Sequence, residues 1–171
     1  MKVKQKILSC LLVCGSAYAA TASAGVWQKN MSFDNDASSW GGQVSQSGSA
    51  YVNTSPSFAR SGSKYGYMYA FSGWAGIGRS ITIPSGSVGK NCVAAIYTNG
   101  DASYLEVIDQ ATWTYLRPLA HSSGSSTYKQ VNAGVWVAPR RNVYLRHVVP
   151  KSGSGSYSLA RVDDSVMQCS T

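Results

Sequence analysis

From Gly25 onward the chain is a succession of short runs rich in Val, Ile, Tyr and Trp, none longer than ten residues, each cut off by Ser, Gly, Asn or Pro. Almost no stretch repeats apolar residues at the spacing of a helix, so the punctuation forces a fold of short strands and turns. Ten strands are expected: Val26–Phe33, Gln43–Val52, Tyr65–Phe71, Gly76–Ile83, Cys92–Thr98, Ser103–Asp109, Thr112–Ala120, Tyr128–Val137, Asn142–Val149 and Ser156–Val162. Side chains alternate between the two faces of a strand, so Tyr65, Tyr67, Tyr69 and Phe71 share one face. Val143, Leu145 and His147 likewise oppose Tyr144 and Arg146. Reversals are expected at Ser61-Gly62-Ser63, Pro84-Ser-Gly86, Asn99-Gly100, Ser122–Ser126 and Ser152–Gly155. Asn99-Gly100 suits a tight hairpin joining Ile96-Tyr97 to Tyr104-Leu105. The expected fold is all-β: one antiparallel β-sandwich, a jelly roll at this length.

The first 24 residues read as a signal peptide. Lys2, Lys4 and Lys6 precede an apolar run, Ile7 to Val13, and small residues lead to Ala22-Ser23-Ala24, a cleavage pattern before Gly25. That run is far shorter than the ~20 residues of a membrane span. Export is therefore expected, to a secreted, periplasmic or cell-surface location. Cys10 and Cys14 leave with the leader, and so do its three lysines. Of 171 residues, 147 remain as one domain, with twelve Lys+Arg against seven Asp+Glu, a net charge of about +5. The positive charges are scattered and only Arg140 and Arg141 are adjacent, so no basic run points to nucleic acid. Two cysteines remain, and an even count in an exported chain predicts a Cys92–Cys169 disulfide worth about 3–4 kcal/mol in the chain-entropy model. An intermolecular bond through Cys169 is the alternative.

Four short motifs carry a resemblance: Asn30-Met-Ser-Phe33-Asp34, Trp40, Ala59-Arg-Ser-Gly62-Ser63 and Asp163-Asp164-Ser-Val166. In this combination the chain resembles the galactose-binding-like jelly rolls of secreted carbohydrate-binding modules. It departs from them in having Asp34 where Glu is commoner, and Ser165 interrupts the Asp-Asp-Val pattern. The resemblance implies a structural calcium held by Asp34 and Asp163, with carbonyls of Ser61 and Ser63 as further donors, since Ca²⁺ takes hard oxygen ligands. The residues alone also allow a plainer arrangement, with Asp34 capping a turn and Asp163 and Asp164 ending a surface strand.

No catalytic set is legible. His121 borders a Ser-rich turn, and His147 shares a face with Val143 and Leu145, which suits a buried, hydrogen-bonded histidine. Glu106 and Asp109 fall on opposite faces of one strand, so they cannot flank a glycosidic bond together. What stands out is aromatic: five Trp and three Phe, and ten Tyr beyond the leader. Sugar rings stack their C–H faces on such side chains while their hydroxyls bond to polar neighbours. Trp74, Tyr97, Tyr104, Trp113, Tyr115 and Trp136 are the candidate platform, with Trp74 and Trp113 foremost because each lies beside a turn. Trp27 and Trp40 are assigned to the core. The reading is a non-catalytic carbohydrate-binding protein. A protein or matrix interaction module is the first alternative and a small secreted hydrolase the second. The sugar, the binding face and the oligomeric state are not specified by the sequence.

Overall fold

The computed structural model describes residues 25–152 and 154–171. The expected leader, residues 1–24, lies outside the described residues. Among the described residues twelve strands form two six-stranded antiparallel sheets. The first sheet contains β1 (Val26–Met31), β3 (Ser47–Thr54), β4 (Lys64–Ser72), β6 (Asn91–Gly100), β10 (Ser125–Val137) and β12 (Ser158–Ser170). Its order is β10-β6-β12-β4-β3, with β1 also pairing with β12. The second contains β2 (Gly41–Val44), β5 (Trp74–Thr82), β7 (Ser103–Asp109), β8 (Thr114–Tyr115), β9 (Ala120–Ser122) and β11 (Asn142–Pro150). Its order is β2-β5-β11-β7-β8, and β9 also pairs with β7.

The period of two decides which side chains enter the core. On β4 Met68 and Ala70 point inward and are fully buried, while Tyr67, Tyr69 and Phe71 take the outer face and Tyr65, on that same side of the strand, is covered and 1 % exposed. On β11 Val143, Leu145 and Val149 are buried between the sheets. Each such side chain contributes about 1.5–3 kcal/mol by leaving water. Phe33 opens the one-turn helix α1 (Phe33–Asp36), capped by the Ser32 hydroxyl, which accepts from the Asp34 amide at 3.1 Å. Phe33 stacks on Trp40 with ring centroids 4.5 Å apart, closing one end of the core. Trp27 packs against that core. Cys92 and Cys169 are paired directly across β6 and β12 and form the expected disulfide.

Three expectations are corrected. Asn99-Gly100 is not a hairpin, because β6 and β7 belong to different sheets and the chain crosses from one to the other there. The backbone approach makes Gly100 necessary: its φ is +108°, and a Cβ would lie 2.3 Å from the Leu159 carbonyl oxygen. The expected strand Thr112–Ala120 is a turn followed by the short strands β8 and β9. The closing strand does not stop at Val162 but continues to Ser170. Its pairing with β6 is irregular between Asp163 and Val166, where Asp164 adopts φ +44°. This bulge turns the neighbouring acids Asp163 and Asp164 toward the same segment, residues 60 and 61.

Candidate functional site

The outer face of the second sheet gathers most of the expected platform. Arg146 on β11 sits opposite Glu106 on β7 and Gly78 on β5, while Tyr144 sits opposite Ile108 and Val148 opposite Tyr104. Tyr115 pairs with Ile108 and His121 with Tyr104. Alternation therefore puts Tyr104, Glu106, Tyr115, His121, Tyr144 and Arg146 on one surface, joined by Gln43 and Trp74 from β2 and β5. Gly76 and Gly78 contribute no side chain to this face. Arg146 leans over the first, 3.5 Å from where a Cβ would lie, and the Tyr144 ring lies 2.8 Å from the Cβ position of the second.

At the centre is a polar network. The Arg146 guanidinium donates to Glu106 Oε2 at 2.5 Å and to Gln43 Oε1 at 2.8 Å. The Tyr115 hydroxyl donates to Glu106 Oε1 at 3.1 Å. Glu106 is only 2 % exposed, and pairing with Arg146 offsets the cost of burying its charge. The same guanidinium lies 4.7 Å from the Trp74 ring centroid, a cation–π contact that fixes it from a further side. Burial, with the Glu106 charge behind it, pushes the Tyr104 and Tyr115 hydroxyls above their ordinary pKa, and burial does the same for Tyr144. All three stay protonated near neutral pH and remain hydrogen-bond donors.

Around the network stand rings. Trp113 and Tyr115 are each 56 % exposed. Trp113 leans on Tyr144 with centroids 5.4 Å apart, and Tyr104 on His121 at 5.8 Å. Trp113 has φ +55°, a left-handed conformation that costs a bulky L-residue about 1–2 kcal/mol. Asp109 imposes it. Its Oδ1 accepts from the Ala111 amide at 3.0 Å, its carbonyl oxygen accepts from the Trp113 amide at 2.8 Å, and Arg140 holds its other carboxylate oxygen at 3.0 Å. The turn thus holds a large indole out in solvent beside the network.

Of the six expected platform residues, Trp74, Tyr104, Trp113 and Tyr115 meet on this face. Tyr97 does not: it lies on the outer face of the first sheet, with the Arg60 guanidinium 3.6 Å above its ring. Trp136 is 3 % exposed and belongs to the core, because a bulge in β10 between Asn132 and Val135 shifts the alternation and turns Trp136 inward on the side of Val131 and Ala133. Sequence reading missed Gln43, Tyr144, His121 and the binding geometry of Glu106 and Arg146. The outward alternation of Tyr144 and Arg146 was visible, but the register joining Arg146 to Glu106 was not.

Asp34 and Asp163 do converge on one segment, residues 60–64, but the donor set there does not suit calcium. Asp34 Oδ1 accepts from the Ser63 amide at 2.8 Å, the Ser63 hydroxyl at 3.1 Å and the Lys64 amide at 3.1 Å. Asp163 Oδ2 accepts from the Arg60 and Ser61 amides at 2.9 and 3.1 Å. Ser61 and Ser63 thus present N–H and O–H donors where carbonyls were expected, and the Ser63 carbonyl accepts from the Ser55 amide at 2.7 Å. Among the described residues no three His, Cys, Asp or Glu side chains gather as a metal site. The Ser63 amide, reinforced by its hydroxyl and the Lys64 amide, holds the Asp34 carboxyl below the usual range, while burial pushes Asp163 up. His147 is buried between the sheets, its Nε2 2.9 Å from Ser103 Oγ, and burial lowers its pKa to about 3.

No family model matches the chain, and no curated protein matches it. Solved structures do. A family 61 carbohydrate-binding module in complex with β-1,4-galactotriose superposes with TM-score 0.57 at 15 % identity, covering 80 % of this chain and 92 % of that one. The C-terminal family 22 carbohydrate-binding module of Clostridium thermocellum Xyn10B gives 0.57 at 11 % identity over 83 % and 92 %. The xylan-binding module CBM15 gives 0.57 at 13 % identity over 85 % and 97 %. At these identities the likeness is one of architecture: the chain has the β-sandwich fold found in carbohydrate-binding modules.

Proposed function

We propose that the protein is an exported, non-catalytic carbohydrate-binding protein, and that the outer face of its second sheet receives the sugar chain. The observation that carries this reading is the Arg146–Glu106–Gln43 network fixed among Trp74, Tyr104, Trp113 and Tyr115. Rings take the C–H faces of a sugar, and pre-positioned guanidinium, carboxamide and phenol groups bond its hydroxyls without having to be ordered on binding. The fold neighbours include modules whose structures were solved with β-1,4-galactotriose and with xylohexaose, which supports a β-linked polysaccharide as ligand. A hydrolase is disfavoured by the charge arrangement. Glu106 is the one carboxylate on this face among the described residues, since Asp109 turns to the other side of the strand and is held by Arg140. The disulfide suits an oxidising compartment.

The test is binding of residues 25–171 to soluble xylan, β-1,4-galactan and an insoluble polysaccharide panel, by titration calorimetry and pull-down. Saturable binding abolished by Trp113→Ala and by Arg146→Gln, with the fold intact, is expected. Binding that survives both substitutions removes this face from the reading.

A further inference from the structure

Six aromatic side chains among the described residues are exposed, and only Trp113 and Tyr115 belong to the face described above. The other four, Tyr51, Phe58, Phe71 and Tyr157, are 43–51 % exposed and lie on the opposite side of the sandwich, over the first sheet. They are parts of one strip. Ring centroids follow each other from Tyr51 to Tyr67 (5.5 Å), Tyr67 to Tyr69 (5.8 Å), Tyr69 to Phe71 (5.4 Å) and Phe71 to Tyr157 (6.1 Å). The β4 part of the strip, residues 67 to 71, runs about 13 Å along the strand. Core packing does not require it, because Met68 and Ala70 supply the inward face of the same strand.

At the middle of the strip lies Arg161, the register partner of Tyr67 on β12. Its guanidinium is 4.7 Å from the Phe58 ring centroid and 5.7 Å from that of Tyr67. None of the described ion pairs includes Arg161, and its Nε has no hydrogen-bond partner. The two neighbouring acids are engaged elsewhere, Asp163 with backbone amides and Asp164 with Arg60 and Ser61. The strip therefore combines apolar rings, phenol hydroxyls and one uncompensated positive charge.

We propose that this strip is a second binding surface, and that its ligand is an anionic polysaccharide: sugar rings over the tyrosines, a uronate carboxylate on Arg161. The charge argues for such a ligand over a second copy of the chain, since a two-fold pairing of this face would bring two unpaired Arg161 side chains together. It stands independently of the second-sheet face, and one protein could hold two chains at once.

The test is a titration of residues 25–171 with polygalacturonate, alongside Arg161→Gln, Tyr51→Ala, Lys90→Gln and Trp113→Ala. Expected is saturable binding weakened about tenfold or more by Arg161→Gln, the worth of one charge-assisted hydrogen bond, and weakened also by Tyr51→Ala. Tyr51 is exposed, so that variant keeps the test valid if Arg161→Gln fails to fold. Lys90→Gln and Trp113→Ala should bind as the parent does. The proposal is overturned by no binding, by equal loss in Lys90→Gln, which would mean net charge alone, or by loss in Trp113→Ala, which would place the polyanion on the second sheet. A dimer seen by light scattering and dissolved by Tyr51→Ala would overturn it in favour of a second copy.

Discussion

Replacing His147 by Gln should remove much of the protein's sensitivity to mild acid. His147 is wholly buried, and burial lowers its pKa from 6.5 to about 3. The unfolded chain therefore binds a proton that the folded chain refuses. Its contribution is complete above pH 6.5 and is lost as pH falls toward 3. Evaluating that linkage gives a loss of about 2 kcal/mol between pH 7 and pH 5, a large share of a typical domain stability of about 5–15 kcal/mol. Gln can still reach Ser103, so the hydrogen bond survives while the titration disappears. The assay is urea denaturation followed by tryptophan fluorescence at pH 5 and pH 7. Asp163 has the opposite sign, since its raised pKa favours the fold in acid and that contribution fades as pH rises. Its effect is common to both proteins and cancels in their difference. An equal loss of stability in parent and variant would refute the assignment of the acid response to His147.

Other consequences can be checked on the same preparations. Replacing Cys92 and Cys169 together by Ala should cost about 4 kcal/mol in reversible denaturation, and an unmoved midpoint would contradict a stabilising bridge. Trp113→Gly and Trp113→Ala should both lose binding of xylan and β-1,4-galactan on the second-sheet face, but the Gly variant should be about 1 kcal/mol the more stable because it accepts the left-handed backbone without strain. Equal stability would mean that the turn relaxes in the Ala variant. A chelator should leave Tm unchanged, whereas Asp163→Asn should lower stability by about 1–3 kcal/mol through two weakened amide bonds. A Tm that falls with chelator and recovers with calcium would show that a cation replaces those amides.

The sequence exposed whatever depends on neighbours along a strand. Alternation correctly placed Met68 and Ala70 opposite the tyrosines of β4, and His147 with Leu145. An even cysteine count led to Cys92–Cys169. What it hid depends on which strand lies beside which. Arg146 and Glu106 are 40 residues apart and meet only because β11 aligns with β7 in one register. Tyr97 looked as suitable as Tyr104, yet the chain changes sheets between them, so the two look out from opposite sides. Trp136 carries no sign of its burial, because plain alternation puts it opposite Val131 and Ala133 and only the bulge between Asn132 and Val135 turns it inward. The acids of the calcium expectation were drawn to the right segment, but no short motif says whether an amide or a carbonyl will meet them.

The position of β12 has a consequence for the order of events in making the protein. This strand lies between β6 and β4 and also carries β1, yet every other strand of that sheet precedes it in the sequence. Until residues 158–170 leave the ribosome, β6 and β4 have no shared neighbour, and Cys92 lacks its disulfide partner Cys169. Assembly of the first sheet must wait for long-range closure. A nascent chain therefore keeps β6 and β4 unjoined until that strand is made, each with an unpaired edge in the meantime. It also means that a truncation at residue 157 leaves two unsupported halves of a sheet, destined for degradation.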